Sequence, residues 1–130
     1  MKTRVLLSLA ALVLAALPAM ATTTANFEGN CDSGIPTDCI VDPSRTPFGQ
    51  TATACPGSSI KKYFFDFGDG TSFFQTPPPT QASHTYTSGI TTDICVTVFC
   101  NNNTSATTCH CFSNQFGIGG CVRPGAGWTP

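Results

Sequence analysis

Hydrophobic residues in this chain recur at every second position in short runs, not at three-and-four spacing. In Ile94-Cys95-Val96-Thr97-Val98-Phe99, the residues Ile94, Val96, Val98 and then Cys100 share one face, which the alternation predicts as the inner one. Residues 60–67 form the longest run and place Phe65 and Phe67 on one side, with Phe64 and Asp66 on the other. Shorter runs at 39–41, 50–54, 71–74, 84–86 and 107–112 bring the count to about seven predicted strands. Turn signals such as Asp42-Pro43-Ser44, Pro56-Gly57 and Gly68-Asp69-Gly70 separate them. Beyond residue 21 no stretch has a helical period, so the pattern predicts an all-β sandwich. Pro77-Pro78-Pro79 cannot join a ladder, because proline has no N–H to donate, and reads as a loop or a stiff edge. Residues 22–37 lack either period and read as an N-terminal arm pinned by Cys31. Residues 113–130 read as a Gly/Pro-rich tail held by Cys121.

The first 21 residues have a different character. Two basic residues, Lys2 and Arg4, precede the apolar run 5–17; Pro18 breaks it, and Ala19-Met20-Ala21 offers small residues at signal-peptidase spacing. The apolar run is too short to cross a bilayer, which takes about 20 residues in a helix. The lack of a cysteine at the cleavage site argues against a lipoprotein. Export is therefore expected, to an extracellular or periplasmic location, with cleavage near Ala21 and no membrane attachment afterwards. Past that point four basic residues (Arg45, Lys61, Lys62, Arg123) face seven acidic ones, and no basic patch exists to neutralise phosphates. Nucleic acid is thus excluded as a partner.

All eight cysteines follow residue 21: Cys31, Cys39, Cys55, Cys95, Cys100, Cys109, Cys111 and Cys121. An even number in a short exported chain predicts a disulfide framework, each bridge contributing about 2–4 kcal/mol. Cys109-His110-Cys111 raises zinc as a competing reading. Paired zinc cysteines usually stand two or more residues apart, however, and C-x-C suits a strand better, so no metal is expected.

One stretch looks catalytic at first sight. Residues 63–71 read YFFDFGDGT, and Asp66-Phe67-Gly68 is the tripeptide that holds magnesium in protein kinases. The glycine-rich loop, strand lysine and H-R-D loop that a kinase requires are missing. A calcium-binding EF-hand loop fails as well, since its twelfth position, counted from Asp66, falls on Pro77. The stretch instead resembles the core of the PKD (polycystic kidney disease) domain, which reads sYxWDFGDGT, then HTY, then G and an alternating V-x-L-x-V strand. Here Phe65 stands for the usual Trp; His84-Thr85-Tyr86 and Gly89 follow, and Val96 and Val98 take the last apolar positions. Phe48-Gly49-Gln50-Thr51 is similar to the segment that opens the family's second strand. The resemblance covers roughly residues 38–112. Two departures stand out: Ile90-Thr91-Thr92-Asp93 is one residue longer than the family's segment and lacks its Tyr, and the cysteines are this chain's own addition.

The resemblance implies an immunoglobulin-like β-sandwich, stabilised here by disulfides, in which DFGDG is structural. Gly68 and Gly70 allow positive φ at a tight strand exit, and the carboxylates of Asp66 and Asp69 accept turn N–H groups. His84 and Tyr86 belong to the same structural motif. It implies no catalytic residue and no cofactor. First- and last-strand edges adjoin in such sandwiches, which favours a bridge from Cys109 or Cys111 to Cys39 among on the order of a hundred possible pairings. One of Phe73 and Phe74 should face outward, on a surface open to a ligand. Trp128, the sole tryptophan, is a further candidate contact or else a lid on one end of the sandwich. The implied function is a secreted, non-catalytic module that binds an extracellular protein or polysaccharide. The competing reading is a small disulfide-locked effector, such as a protease inhibitor or toxin, using the Pro77-Pro78-Pro79 loop.

Overall fold

The structure, a computed structural model of the chain, describes residues 20–78, 80–119 and 121. The proposed signal sequence up to Ala19, together with Pro79 and Trp128, lies outside the described residues.

Among the described residues, eight strands form two sheets packed face to face. β1 (Glu28–Cys31), β2 (Thr37–Asp42) and β5 (Ala82–Tyr86) make a three-stranded antiparallel sheet in the order β1-β2-β5. The other sheet is five-stranded, in the order β4-β3-β6-β7-β8, from β3 (Ile60–Asp66), β4 (Ser72–Gln75), β6 (Thr91–Cys100), β7 (Ser105–Ser113) and β8 (Gly117–Ile118). The alternation decides which side each residue takes. Ile94, Val96, Val98 and Cys100 of β6 are all buried, as are Tyr63 and Phe65 of β3 and Phe67 just beyond it. Cys39 and Val41 of β2 and Ala82 and Tyr86 of β5 meet them from the opposite sheet, and Phe112 of β7 closes the layer. Burying an aromatic or branched side chain of this kind contributes about 1.5–3 kcal/mol, so this aromatic-rich layer dominates the hydrophobic stabilisation.

Four expectations are corrected. Residues 22–37 are not an arm: Thr24 bridges Ala54, Phe27 is buried in the core, and β1 pairs with β2 from Glu28↔Asp42 to Cys31↔Cys39. Phe27 and Ile35 are the segment's large apolar residues and stand eight positions apart, so no periodicity announces the strand. Residues 50–54 form no strand beyond the Ala54 bridge. Their polar groups hold Asn26 instead: its Nδ2 donates to Gln50 Oε1 (2.8 Å) and to the Thr51 carbonyl (3.2 Å), and its N–H donates to Thr53 Oγ1 (2.8 Å). The third correction concerns the tail, which contributes β8, paired with β7 through Phe112↔Ile118, and a buried Cys121.

The fourth correction is the disulfide pairing. Cys39 joins Cys31, Cys109 joins Cys95 and Cys111 joins Cys121, while Cys55–Cys100 ties the loop before β3 to the end of β6. Cys39 is buried in the core whereas Cys109 is exposed on the outer face of β7, so these two do not meet, and Cys111 is taken by Cys121. Cys31 and Cys39 are instead direct register partners, and so are Cys95 and Cys109.

Candidate functional site

The DFGDG turn closes on itself. Asp66 Oδ1 accepts the Gly68 N–H (2.9 Å), Asp69 Oδ1 accepts the Thr71 N–H (3.0 Å), and the Phe67 N–H donates to the Thr71 carbonyl (3.0 Å). Gly68 and Gly70 have φ of 73° and 93°, the left-handed region that an L side chain resists. The turn is anchored from both sheets. His84 Nε2 lies 2.7 Å from Asp69 Oδ2, and its ring stacks on Phe67 with centroids 4.5 Å apart. Tyr86 donates its hydroxyl proton to the Phe67 carbonyl (2.8 Å), and Thr92 Oγ1 donates to the Gly68 carbonyl (3.0 Å).

Electrostatics follow from these contacts. Burial alone raises the Asp69 pKa, but hydrogen bonds from His84 and Thr71 and the His84 charge outweigh it and hold the carboxyl below its ordinary value. Burial, then the negative charges of Asp69 and Asp66, push the Tyr86 phenol up, so it remains a proton donor. The predicted motif residues Phe65, Asp66, Phe67, Gly68, Asp69, Gly70, His84 and Tyr86 are thus brought together, around one strand exit. His84 Nε2 pairs with Asp69 Oδ2, while Asp69 Oδ1 holds the turn. Cys109, His110 and Cys111 do not converge either. The two sulfurs enter different bridges, and His110 points to the other side of β7, edge-on to Phe27 at 4.5 Å.

An open site lies elsewhere, on the outer face of the five-stranded sheet. Positions out of phase with the core place Lys62, Phe64 and Asp66 of β3 on that face. β4 sets Phe74 opposite Phe64, while β6 sets Phe99 opposite Lys62 and Thr97 opposite Phe64. The Phe64 and Phe74 rings are 4.8 Å apart and Phe74 and Phe99 6.1 Å apart. The Lys62 ammonium lies 4.1 Å from the Phe74 ring centroid and 5.2 Å from that of Phe99. Beside the rings, Thr97 and Thr107 share a hydrogen bond of 2.7 Å, and the Cys95–Cys109 bridge crosses the same face. Phe74 is 58% exposed, whereas its neighbour Phe73 packs on the core against Phe65 and Phe67, as the alternation requires. The sequence reading found Phe74 as one of two alternatives and missed Phe64 and Phe99. Their signal was available in the phase of each strand. The register that makes them neighbours was not.

The chain matches no family model and no curated protein at a significant level. Solved structures do resemble it. The PKD1 domain of Vibrio anguillarum Epp superimposes with a TM-score of 0.56 at 18% identity, covering 73% of this chain and 95% of that one. The PKD1 domain of the Vibrio cholerae metalloprotease PrtV superimposes with a TM-score of 0.50 at 14% identity, covering 70% of this chain and 96% of that one. Eight strands in two sheets, the aromatic core and these superpositions agree: the chain has the immunoglobulin-like sandwich fold of PKD domains.

Proposed function

We propose that this chain is a secreted, non-catalytic recognition module that holds an extracellular polysaccharide or protein on the outer face of its five-stranded sheet. The observation that carries the reading is the aromatic strip of Phe64, Phe74 and Phe99 on an otherwise polar face, with Phe74 more than half exposed. A contiguous exposed apolar patch rimmed by polar groups is the usual mark of an interaction surface. Four disulfides suit an oxidising compartment and keep such a surface rigid, so little order is lost on binding. The PKD1 domain of PrtV, a part of a metalloprotease, offers a precedent for this fold as one unit within a larger protein.

The test is retention of the purified, oxidised protein on a panel of insoluble polysaccharides and immobilised extracellular proteins. Phe74→Ala and Trp128→Ala variants run in parallel. Retention on one polymer that Phe74→Ala weakens at least about tenfold, the effect of losing a buried aromatic contact of about 1.5 kcal/mol or more, supports the reading. Retention insensitive to Phe74→Ala and lost in Trp128→Ala moves the surface to the tail. Turnover of a substrate by the same preparation contradicts it.

A further inference from the structure

Resting on that reading, the chemistry of the face also points to the class of polymer. Lys62 is held by two ring faces and by no carboxylate: among the described residues the ion pairs are Arg45–Glu28 and His84–Asp69. Lys61, the next residue back, is exposed and also makes no ion pair among them. On the same face of β3 the nearest acid is Asp66, four residues along the strand and hence about 13 Å away. Its Oδ1 already accepts the Gly68 N–H. Among the described residues, Lys62 thus puts a cation with no carboxylate partner at the aromatic end of this face.

We infer that the face takes a polyuronate, a polysaccharide carrying one carboxylate per sugar. Sugar rings lie along Phe64, Phe74 and Phe99, and a carboxylate meets the ammonium of Lys62. Cation–π contact of this kind is worth only about 0.5–1 kcal/mol at an exposed site, and it leaves the ammonium hydrogens free to donate. A charge-assisted hydrogen bond to an incoming carboxylate is stronger, and the rings have already ordered the lysine. The Thr97 and Thr107 hydroxyls stand beside the strip, where sugar hydroxyls would lie. A single ring-held ammonium matches a chain of one charge per sugar better than a densely sulfated one.

Polygalacturonate and its fully methyl-esterified form have the same backbone and differ in charge, which makes them the decisive pair. Affinity electrophoresis is run with the oxidised wild-type protein, Lys62→Met (which keeps the apolar stem) and Phe74→Ala. Dextran sulfate and an acidic protein serve as further ligands. The expected result is about tenfold tighter binding to polygalacturonate than to the ester, lost in Lys62→Met on the acid alone and reduced by added salt. Equal binding to acid and ester, or stronger binding to dextran sulfate or to the acidic protein, overturns the inference. Equal binding that Phe74→Ala still abolishes overturns the inference alone and leaves the face as a recognition surface. No binding to any of these ligands overturns the inference, while the panel of polysaccharides and proteins still decides the recognition reading.

Discussion

Gly68 and Gly70 both take positive φ in the same turn, yet alanine should cost far more at one than at the other. A Cβ built on Gly68 would lie 2.1 Å from Thr92 Oγ1 and 2.4 Å from the Asp93 carbonyl oxygen; one built on Gly70 meets nothing within 4 Å. Left-handed backbone costs an L residue about 1–2 kcal/mol at either position. Reduced freedom of the unfolded chain offsets about 0.4–1 kcal/mol of that. Gly70→Ala should therefore lose about 1 kcal/mol. At Gly68 the methyl must displace β6 backbone, an overpacking cost of about 1–3 kcal/mol. It also breaks the Thr92–Gly68 hydrogen bond, worth about 1 kcal/mol more. The total for Gly68→Ala is about 3–5 kcal/mol, a large fraction of the roughly 5–15 kcal/mol by which domains are stable. Equilibrium unfolding in guanidinium chloride under oxidising conditions reads this directly. With m about 3 kcal/mol per M, the midpoint falls by about 1–1.7 M for Gly68→Ala and about 0.3 M for Gly70→Ala. Asparagine sharpens the comparison, because it tolerates left-handed backbone. Gly70→Asn should recover most of the loss, and Gly68→Asn none of it. Equal midpoints for the two alanine variants would refute the claim that close packing of the turn on β6, and not its backbone conformation alone, fixes this motif.

Three further outcomes follow from the same contacts. Tyr86→Phe keeps the ring packing but strips the buried Phe67 carbonyl of its donor, and should lower stability by about 1–3 kcal/mol in the same unfolding assay. Paired cysteine-to-serine variants should rank by loop length: Cys55–Cys100, closing 45 residues, contributes about 4 kcal/mol in the chain-entropy account, against about 3 for Cys95–Cys109, closing 14. Thermal unfolding of the two double variants checks that order. For pH, burial lowers the His110 pKa from 6.5, so the unfolded chain takes up its proton first and stability falls as pH drops below 6.5, levelling beneath the folded value. Asp69, whose folded pKa lies below 3.8, contributes stability that is present above that value and lost as pH falls through the folded pKa. Unfolding followed across pH should show two limbs, and His110→Gln should remove the upper one.

What could be read from the sequence depended on how much of a residue's fate was local. β3 and β6 carry their own alternation, since each crosses the aromatic core and must turn every second side chain inward; both lie where the pattern puts them. The DFGDG turn was equally legible, because glycine and aspartate at a strand exit act on backbone within two or three residues. β1 and β8 were not. Each exists through its partner strand, and Glu28-Gly29-Asn30-Cys31 has no apolar alternation to show. Residues 50–54 misled for the opposite reason, as their strand-like Thr and Ala content serves to bind the Asn26 side chain and backbone. Disulfide pairing and the aromatic face fail together: both depend on cross-strand register, which a single strand's period leaves open. Cys95 meets Cys109, and Phe64 meets Phe74, only once the hairpins are aligned.

The account's central claim is that ligand lies on the outer face of the five-stranded sheet. Amide and side-chain NMR shifts of the oxidised protein, titrated with soluble oligomers of whichever polymer retains it, test that claim most directly. The account predicts saturable shifts concentrated at Lys62, Phe64, Phe74, Thr97 and Phe99, with the inner-face residues Val96 and Val98 and the outer face of β2 unmoved. Shifts centred instead on Asp38 and Ile40, on the DFGDG turn or on Trp128, with the Phe64–Phe74–Phe99 strip silent, would contradict it.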